Sequence, residues 1–232
     1  MKKIGLAFSL ALALSLSTPL SFAEDSKDAS EPGNSDVGKG KAAACASCHG
    51  EDGNSLVANF PKLAQQNPLY LVRQLQNFKS GERKDPVMSP MAMPLSEGDM
   101  HDIAAFYTEQ KISVNPAPTL PENDDDEAGK TPNQEPVTMA SLLNKGSNLY
   151  RNGDLAREVS ACIACHGPSG EGNKPAGFPA LRSQHADYLI KALTDFKSGA
   201  RSNNPDNMMH MIAKKMTDEE IKAVAYHIST MQ

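Results

Sequence analysis

The 232-residue sequence has no tryptophan, and five tyrosines and seven phenylalanines bring aromatic residues to only 5%. A chain this poor in large rings has little with which to anchor a core of side chains alone. Positive charge is also short: 23 Lys and Arg stand against 28 Asp and Glu, a formal charge of −5. Such a surface excludes nucleic acid and anionic lipid as expected partners. No acid–base pair or activated nucleophile stands out, so bond-breaking chemistry is not indicated. Long apolar runs are missing except one, from Ile4 to about Leu16, preceded by Lys2 and Lys3 and followed by Ser21-Phe22-Ala23. That is the order of a secretory signal, with cleavage expected after Ala23. The run falls short of the ~20 residues a membrane span needs, and no later segment is a better candidate. The mature protein is therefore expected to be exported and soluble, and more acidic still without its two leading lysines.

Cysteine is scarce as well, four in all, but the four are not scattered. They form Cys45-Ala46-Ser47-Cys48-His49 and Cys162-Ile163-Ala164-Cys165-His166. Cys-x-x-Cys-His is the attachment signature of c-type haem. Two thiols one helical turn apart add to the two vinyl groups of the porphyrin, and the next residue points its imidazole at the iron. Two disulfides, or one zinc site built from all the thiols, would also use every cysteine, yet neither calls for a histidine after each pair. Two covalently bound haem c groups are thus expected, on Cys45, Cys48 and His49 and on Cys162, Cys165 and His166. Porphyrin would supply the apolar mass that the aromatics do not. Haem attachment of this kind takes place outside the bacterial plasma membrane, which agrees with the leader and with a periplasmic location.

Beyond residues 1–23, roughly 200 residues remain, enough for two domains, each small for a side-chain core. Residues 24–36 are polar and expected to be loose. The first domain is read as residues 37–112. A helix over residues 37–44 feeds the haem motif, and a turn-rich loop over residues 50–55 leaves it. Asn67-Pro68 opens the next helix as cap and first-turn proline. Leu71, Leu75 and Phe78 share one face of that helix, which ends near Gly81. A Pro- and Met-rich loop covers residues 85–94, and Ser96-x-x-Asp99 opens a last helix through Ile103, Phe106 and Tyr107. Residues 113–136, with Asn115-Pro116-Ala117-Pro118 and Asp124-Asp125-Asp126-Glu127, read as an extended, solvated linker.

The second domain, residues 137–232, repeats the first. Phe60-Pro61-Lys62-Leu63 returns as Phe178-Pro179-Ala180-Leu181, and Tyr70-Leu71 as Tyr188-Leu189. Phe78-Lys79-Ser80-Gly81-Glu82-Arg83 returns as Phe196-Lys197-Ser198-Gly199-Ala200-Arg201. Asp85-Pro86-Val87-Met88 pairs without a gap with Asp206-Asn207-Met208-Met209, and Ser96 and Asp99 with Thr217 and Glu220. Extra residues before the second haem motif, around residues 151–157, are the main difference.

His49 and His166 would fill one axial position at each iron. An open second position binds small molecules, whereas a strong ligand closes the iron. Thioether sulfur favours the ferrous state and raises the potential. The candidates are Met88, Met91 and Met93 in the first domain, and Met208, Met209, Met211 and Met216 in the second. The repeat favours Met88 and Met209, which align. Met91 aligns with Ile212 and Met93 with Lys214. Met208 adjoins Met209 and remains an alternative. His210 would make a bis-histidine haem, but its counterpart is Ser89. His101, His185 and His227 have no paired ligand and are expected to be surface or partly packed residues. A metal-bound histidine normally donates its other ring N–H to a carbonyl. Pro61 and Pro179, twelve and thirteen residues after the histidines, are candidate acceptors, because proline keeps its carbonyl while stiffening the chain.

Taken in order, residues 45–49, Phe60-Pro61-Lys62-Leu63, Tyr70-Leu71, residues 88–96, Ile103-Ala104-Ala105-Phe106 and the matching second set resemble a di-haem cytochrome of the cytochrome c4 family. The resemblance covers nearly the whole mature chain. It implies an all-α protein of two tandem class I cytochrome c domains related by a pseudo-twofold, each wrapped around one covalent haem. It implies His/Met ligation, with Met88 and Met209 axial and Pro61 and Pro179 supporting the histidines. It further implies a periplasmic electron carrier, loosely membrane-associated in some members, taking electrons from a quinol-oxidising complex toward a terminal oxidase or reductase. A monomer is expected. The same chemistry would suit an electron-accepting cytochrome subunit of a periplasmic dehydrogenase, such as a sulfide-oxidising flavoprotein. A di-haem peroxidase would need one open or displaceable iron, whereas both ligand loops here offer an aligned methionine. The acidic, Pro-rich linker looks longer than the connection usual in the family.

Overall fold

A computed structural model describes residues 32–120 and 138–232. The leader, the polar residues up to 31, and the linker residues Asp124 to Glu127 with Pro132 and Pro136 lie outside the described residues. Among the described residues the structure is helical, with only two isolated bridges, Asp154 to Val159 and Asn173 to Phe178. None of the described helices is long and apolar enough to cross a membrane. The first domain holds α1 (Ser35–Lys41), α2 (Ala46–His49), α3 (Pro68–Ser80), α4 (Met88–Ala92) and α5 (Glu97–Glu109). The second holds α6 (Met139–Asn152), α7 (Ile163–His166), α8 (Ala186–Ser198), α9 (Met208–Ala213) and α10 (Asp218–Ser229).

Local chemistry sets the helix ends. The Asn67 side chain accepts from the Leu69 N–H at 3.0 Å while Pro68 fills the first turn. Ser96 with Asp99, and Thr217 with Glu220, close capping boxes at the starts of α5 and α10. Gly81 and Gly199 end α3 and α8 in the left-handed conformation that glycine adopts without strain. Two expectations change. Helix α1 begins at Ser35, within the stretch read as loose, because Asn34 caps it and the Asn34 N–H is held by Asp102 at 2.7 Å. The Met-rich loop contains α4, since Pro90 is its third residue, where no intrahelical N–H bond is lost.

In each domain the first and last helices cross at a glycine. A Cβ on Gly38 would stand 1.9 Å from the Asp102 carbonyl oxygen of α5, and one on Gly146 would stand 2.0 Å from that of Ala223 in α10. One turn further on, the two crossings are filled in opposite ways. The first domain places small Ala42 near the end of α1 and Tyr107 on α5. The second places Tyr150 on α6 and Ile228 on α10. All four side chains are buried. Beside the first crossing, Lys41 pairs with Asp99 at 2.6 Å and with buried Asp102 at 2.8 Å.

The domains meet through buried polar groups. The Gln74 side-chain oxygen accepts from Arg83 Nη1 at 2.7 Å, Arg201 Nη2 at 3.0 Å and Asn203 Nδ2 at 2.9 Å. Arg201 also reaches the Tyr70 hydroxyl, and Arg83 the Tyr188 hydroxyl. Burial alone would raise the Tyr188 phenol, but the two guanidinium groups pull it down to about 8. The start of the linker is pinned here rather than solvated. The Asn115 amide nitrogen lies 2.9 Å from the Ser183 carbonyl and 3.1 Å from those of Gln184 and Ser229. Lys62 Nζ donates to the Ser113 carbonyl and to Asn115 Oδ1, both at 2.7 Å.

Gly146→Ala and Gly38→Ala should each lower stability by about 1–3 kcal/mol, the cost of overpacking a tight contact, as read by denaturant unfolding. Lys41 first, and then the capping hydroxyl of Ser96, hold the Asp99 carboxyl down to about 2. A depressed folded-state pKa gives stability that is complete above the unfolded value of ~4. It should fade as pH falls toward 2, and Asp99→Asn should flatten that part of the stability–pH curve.

Candidate functional site

Each Cys-x-x-Cys-His segment is a single helical turn. The His49 N–H bonds to the Cys45 carbonyl and the His166 N–H to that of Cys162, both at 3.0 Å. Residues three apart share a helix face, so the two thiols of each pair can reach one planar group. The chain leaves both turns through a glycine at φ 81°, Gly50 and Gly167. All four cysteines are free of disulfides and partly buried. Burial pushes the Cys45 thiol up and raises that of Cys162 to about 11. An activated nucleophilic or redox thiol would show the reverse.

His49 and His166 are buried, at 5% and 8% exposure. His49 Nδ1 donates to the Pro61 carbonyl at 2.8 Å, and His166 Nδ1 to the Pro179 carbonyl at 2.9 Å. These bonds fix the proton on Nδ1 and leave Nε2 as the basic nitrogen. Burial holds both imidazoles below their ordinary value against the opposing pull of the carbonyls. They are therefore neutral at pH 7, the form that ligates a metal. Phe60 and Phe178 stand beside the two rings at 6.3 and 6.4 Å between centroids. The unequal spacing from histidine to proline is absorbed at one place. The Gly53 carbonyl accepts from the Leu63 N–H, and the Gly170 carbonyl from the Leu181 N–H, both at 2.7 Å. The extra residue of the second repeat lies between these anchors, in the stretch that carries the Asn173–Phe178 bridge.

Among the methionines, Met88 and Met209 are partly buried, Met91, Met93 and Met211 are exposed, and Met216 is part of the second core. Fully buried Ala92 and Ala213, each four residues on, place Met88 and Met209 in the same register. Met208, also partly buried, opens α9 one residue ahead of that register. The loops before them differ. Asp85 Oδ1 accepts from the Met88 N–H at 2.9 Å, whereas Asn204 Oδ1 accepts from the Met209 N–H at 2.8 Å. Asp206, the gapless partner of Asp85 in sequence, does not take its role. It and Asn207 turn the chain through left-handed conformations, at φ 53° and 52°. His210 Nδ1 is bound to the Phe196 carbonyl at the end of α8, 2.7 Å away. His185 Nε2 donates across the interface to the Ser55 carbonyl at 2.9 Å, and His227 packs edge-on against Tyr150.

Sequence reasoning passed over Gln66 and Gln184. The Gln184 amide accepts from the Lys62 N–H at 2.9 Å and donates to the Lys62 carbonyl at 3.0 Å. The Gln66 amide does the same to Ala180, at 2.7 and 2.9 Å. A signal was present, because the two glutamines recur in the repeat in step with Tyr70 and Tyr188.

Two buried neutral imidazoles of fixed tautomer, each closing a paired-thiol turn, fit two covalently held haem c groups. The comparisons agree. The protein-family profile described as Cytochrome c matches residues 37–110 and 143–232. Cytochrome c4 of Azotobacter vinelandii is 42% identical over 206 residues, covering 84% of this chain and 88% of that protein. The thiosulfate dehydrogenase electron acceptor of Stutzerimonas stutzeri (strain A1501) is 36% identical over 191 residues, covering 82% of this chain and 80% of that one. The crystal structure of reduced recombinant cytochrome c4 from Pseudomonas stutzeri superposes with a TM-score of 0.75 at 39% identity, covering 86% of this chain and all of that one. The chain belongs to the cytochrome c family and, within it, to the di-haem electron-transfer proteins called cytochrome c4.

Proposed function

We propose that this chain is a periplasmic electron carrier in which His49 and Met88 ligate one haem iron and His166 and Met209 the other. In this reading Cys45, Cys48, Cys162 and Cys165 hold the porphyrins through thioether bonds. The matched histidine-to-proline bonds, 2.8 and 2.9 Å, carry it: both sites are built alike, whereas a peroxidase would need them to differ. Each haem, when bound, supplies a one-electron ferric–ferrous couple. The chain's residues do the rest. The Pro61 and Pro179 carbonyls orient the imidazoles and increase their donor strength, and burial of the rings keeps them neutral. The methionine thioethers pull the other way, toward the ferrous state. The domains are taken as residues 37–112 and 137–232, the first reaching back to the start of α1 at Ser35, joined by residues 113–136 and preceded by a cleaved leader.

The donor proposed first is a quinol-oxidising complex, with a terminal oxidase or reductase as acceptor. The relative named a thiosulfate dehydrogenase electron acceptor favours a second reading, in which a periplasmic dehydrogenase reduces this chain directly. Stopped-flow reduction by each purified donor distinguishes them, the physiological one being faster at equal concentration.

The exported protein should contain two haems per chain, both with the methionine-to-ferric-iron absorption band and neither binding carbon monoxide. Met88→Ala and Met209→Ala should each remove one band, and changing one cysteine pair to alanine should leave one haem by intact mass. A high-spin or carbon-monoxide-binding haem in the unmutated protein would overturn the closed His/Met assignment.

A further inference from the structure

The carbonyl of Pro61 and the N–H of Lys62 belong to one peptide group, as do the carbonyl of Pro179 and the N–H of Ala180. Each of these partly buried peptides is bonded on both sides. His49 donates to the Pro61 oxygen, and Gln184, from the other domain, accepts from the Lys62 N–H. His166 donates to the Pro179 oxygen, and Gln66, again from the other domain, accepts from the Ala180 N–H. Neither glutamine is free to turn. Gln66 Oε1 also accepts from the Asn67 N–H at 2.8 Å, and Gln184 Oε1 from the His185 N–H at 3.0 Å, at the starts of α3 and α8.

We infer that Gln66 and Gln184 are positioning residues that set the reduction potential of the haem in the opposite domain, through the peptide that supports its histidine. This rests on the axial assignment of His49 and His166 above. Hydrogen bonds in a chain polarise one another. An acceptor on the Lys62 N–H makes the Pro61 oxygen more negative, which draws the His49 proton and gives the imidazole more anionic character. A stronger imidazole donor favours ferric iron, so each glutamine lowers the potential of the haem across the interface. Docking of the two domains is thereby part of both redox centres.

The test is a pair of variants, Gln184→Met and Gln66→Met, studied as full-length holoprotein. Potentials are followed by spectroelectrochemistry, with the axial methyl resonances, assigned through Met88 and Met209 variants, identifying each haem. Gln184→Met should raise the potential of the haem on His49, on the order of a tenfold change in its reduction equilibrium, about 59 mV for one electron. The haem on His166 should move far less, and Gln66→Met should give the mirror result. The histidine Nδ1–H resonance should shift only in the domain opposite the substitution. Equal movement of both haems, or movement confined to the glutamine's own domain, would overturn the inference. If methionine drives the domains apart, seen as a larger radius in small-angle scattering, Gln184→Asn withdraws the amide by one methylene and makes the same comparison. Absence of the methionine-to-iron bands in the unmutated protein would instead refute the axial assignment, which separates the two failures.

Discussion

The peptide after each proline is the constraint around which the molecule is arranged. It is at least half-buried, it must accept from a histidine on one side, and its N–H must be satisfied on the other. Among the described residues that second partner comes from the other domain, as a glutamine amide whose geometry matches an N–H and a carbonyl together. Domain docking is therefore a requirement of hydrogen-bond accounting as much as of surface area. The interface is accordingly polar at its centre, with Gln74, Arg201 and Asn203 all buried.

The repeat is a repeat of jobs more than of residues. Both domains cap the last helix with a hydroxyl and a carboxylate, cross the terminal helices at a glycine and anchor the proline segment on a glycine carbonyl. Where lengths differ, the difference sits in loops that bear no ligand: around residues 173–178, around residues 202–207, and in the turn between Asp154 and Val159. Arg157 ties that last turn down through Asp154 and Glu220. The histidines and their carbonyls keep their geometry because the extra residue around 173–178 is looped out between two anchors that recur in both domains, the Leu63 to Gly53 and Leu181 to Gly170 bonds.

Features governed by neighbours in sequence were legible without the structure. The haem turns, the Asn67-Pro68 start, the capping boxes of α5 and α10 and the glycine stops of α3 and α8 follow from interactions spanning four residues or fewer. What escaped was long-range and polar. Gln66, Gln184, Asn115 and His185 look like solvated surface in a single sequence, and only the opposite domain shows that their side chains are committed. Helix α4 was hidden because Pro90 reads as a breaker until its place in the first turn is known. The side chain that holds the Met209 N–H could not be taken from the alignment, because the longer loop gives to Asn204 what Asp85 does in the first domain, although Asp206 matches Asp85 by letter.

The exchanged tyrosines at the two helix crossings bear on the history of such a gene. Two similar halves in one chain invite unequal recombination, which would fuse the front of one to the back of the other. Joining α1 to α10 would set Ala42 against Ile228 and leave a hole; joining α6 to α5 would press Tyr150 onto Tyr107. Either hybrid would carry a complete haem motif and a complete ligand loop, yet neither would close its core. Complementary volumes thus match the first helix of each half to its own last helix, and the two near-copies are not interchangeable piece by piece.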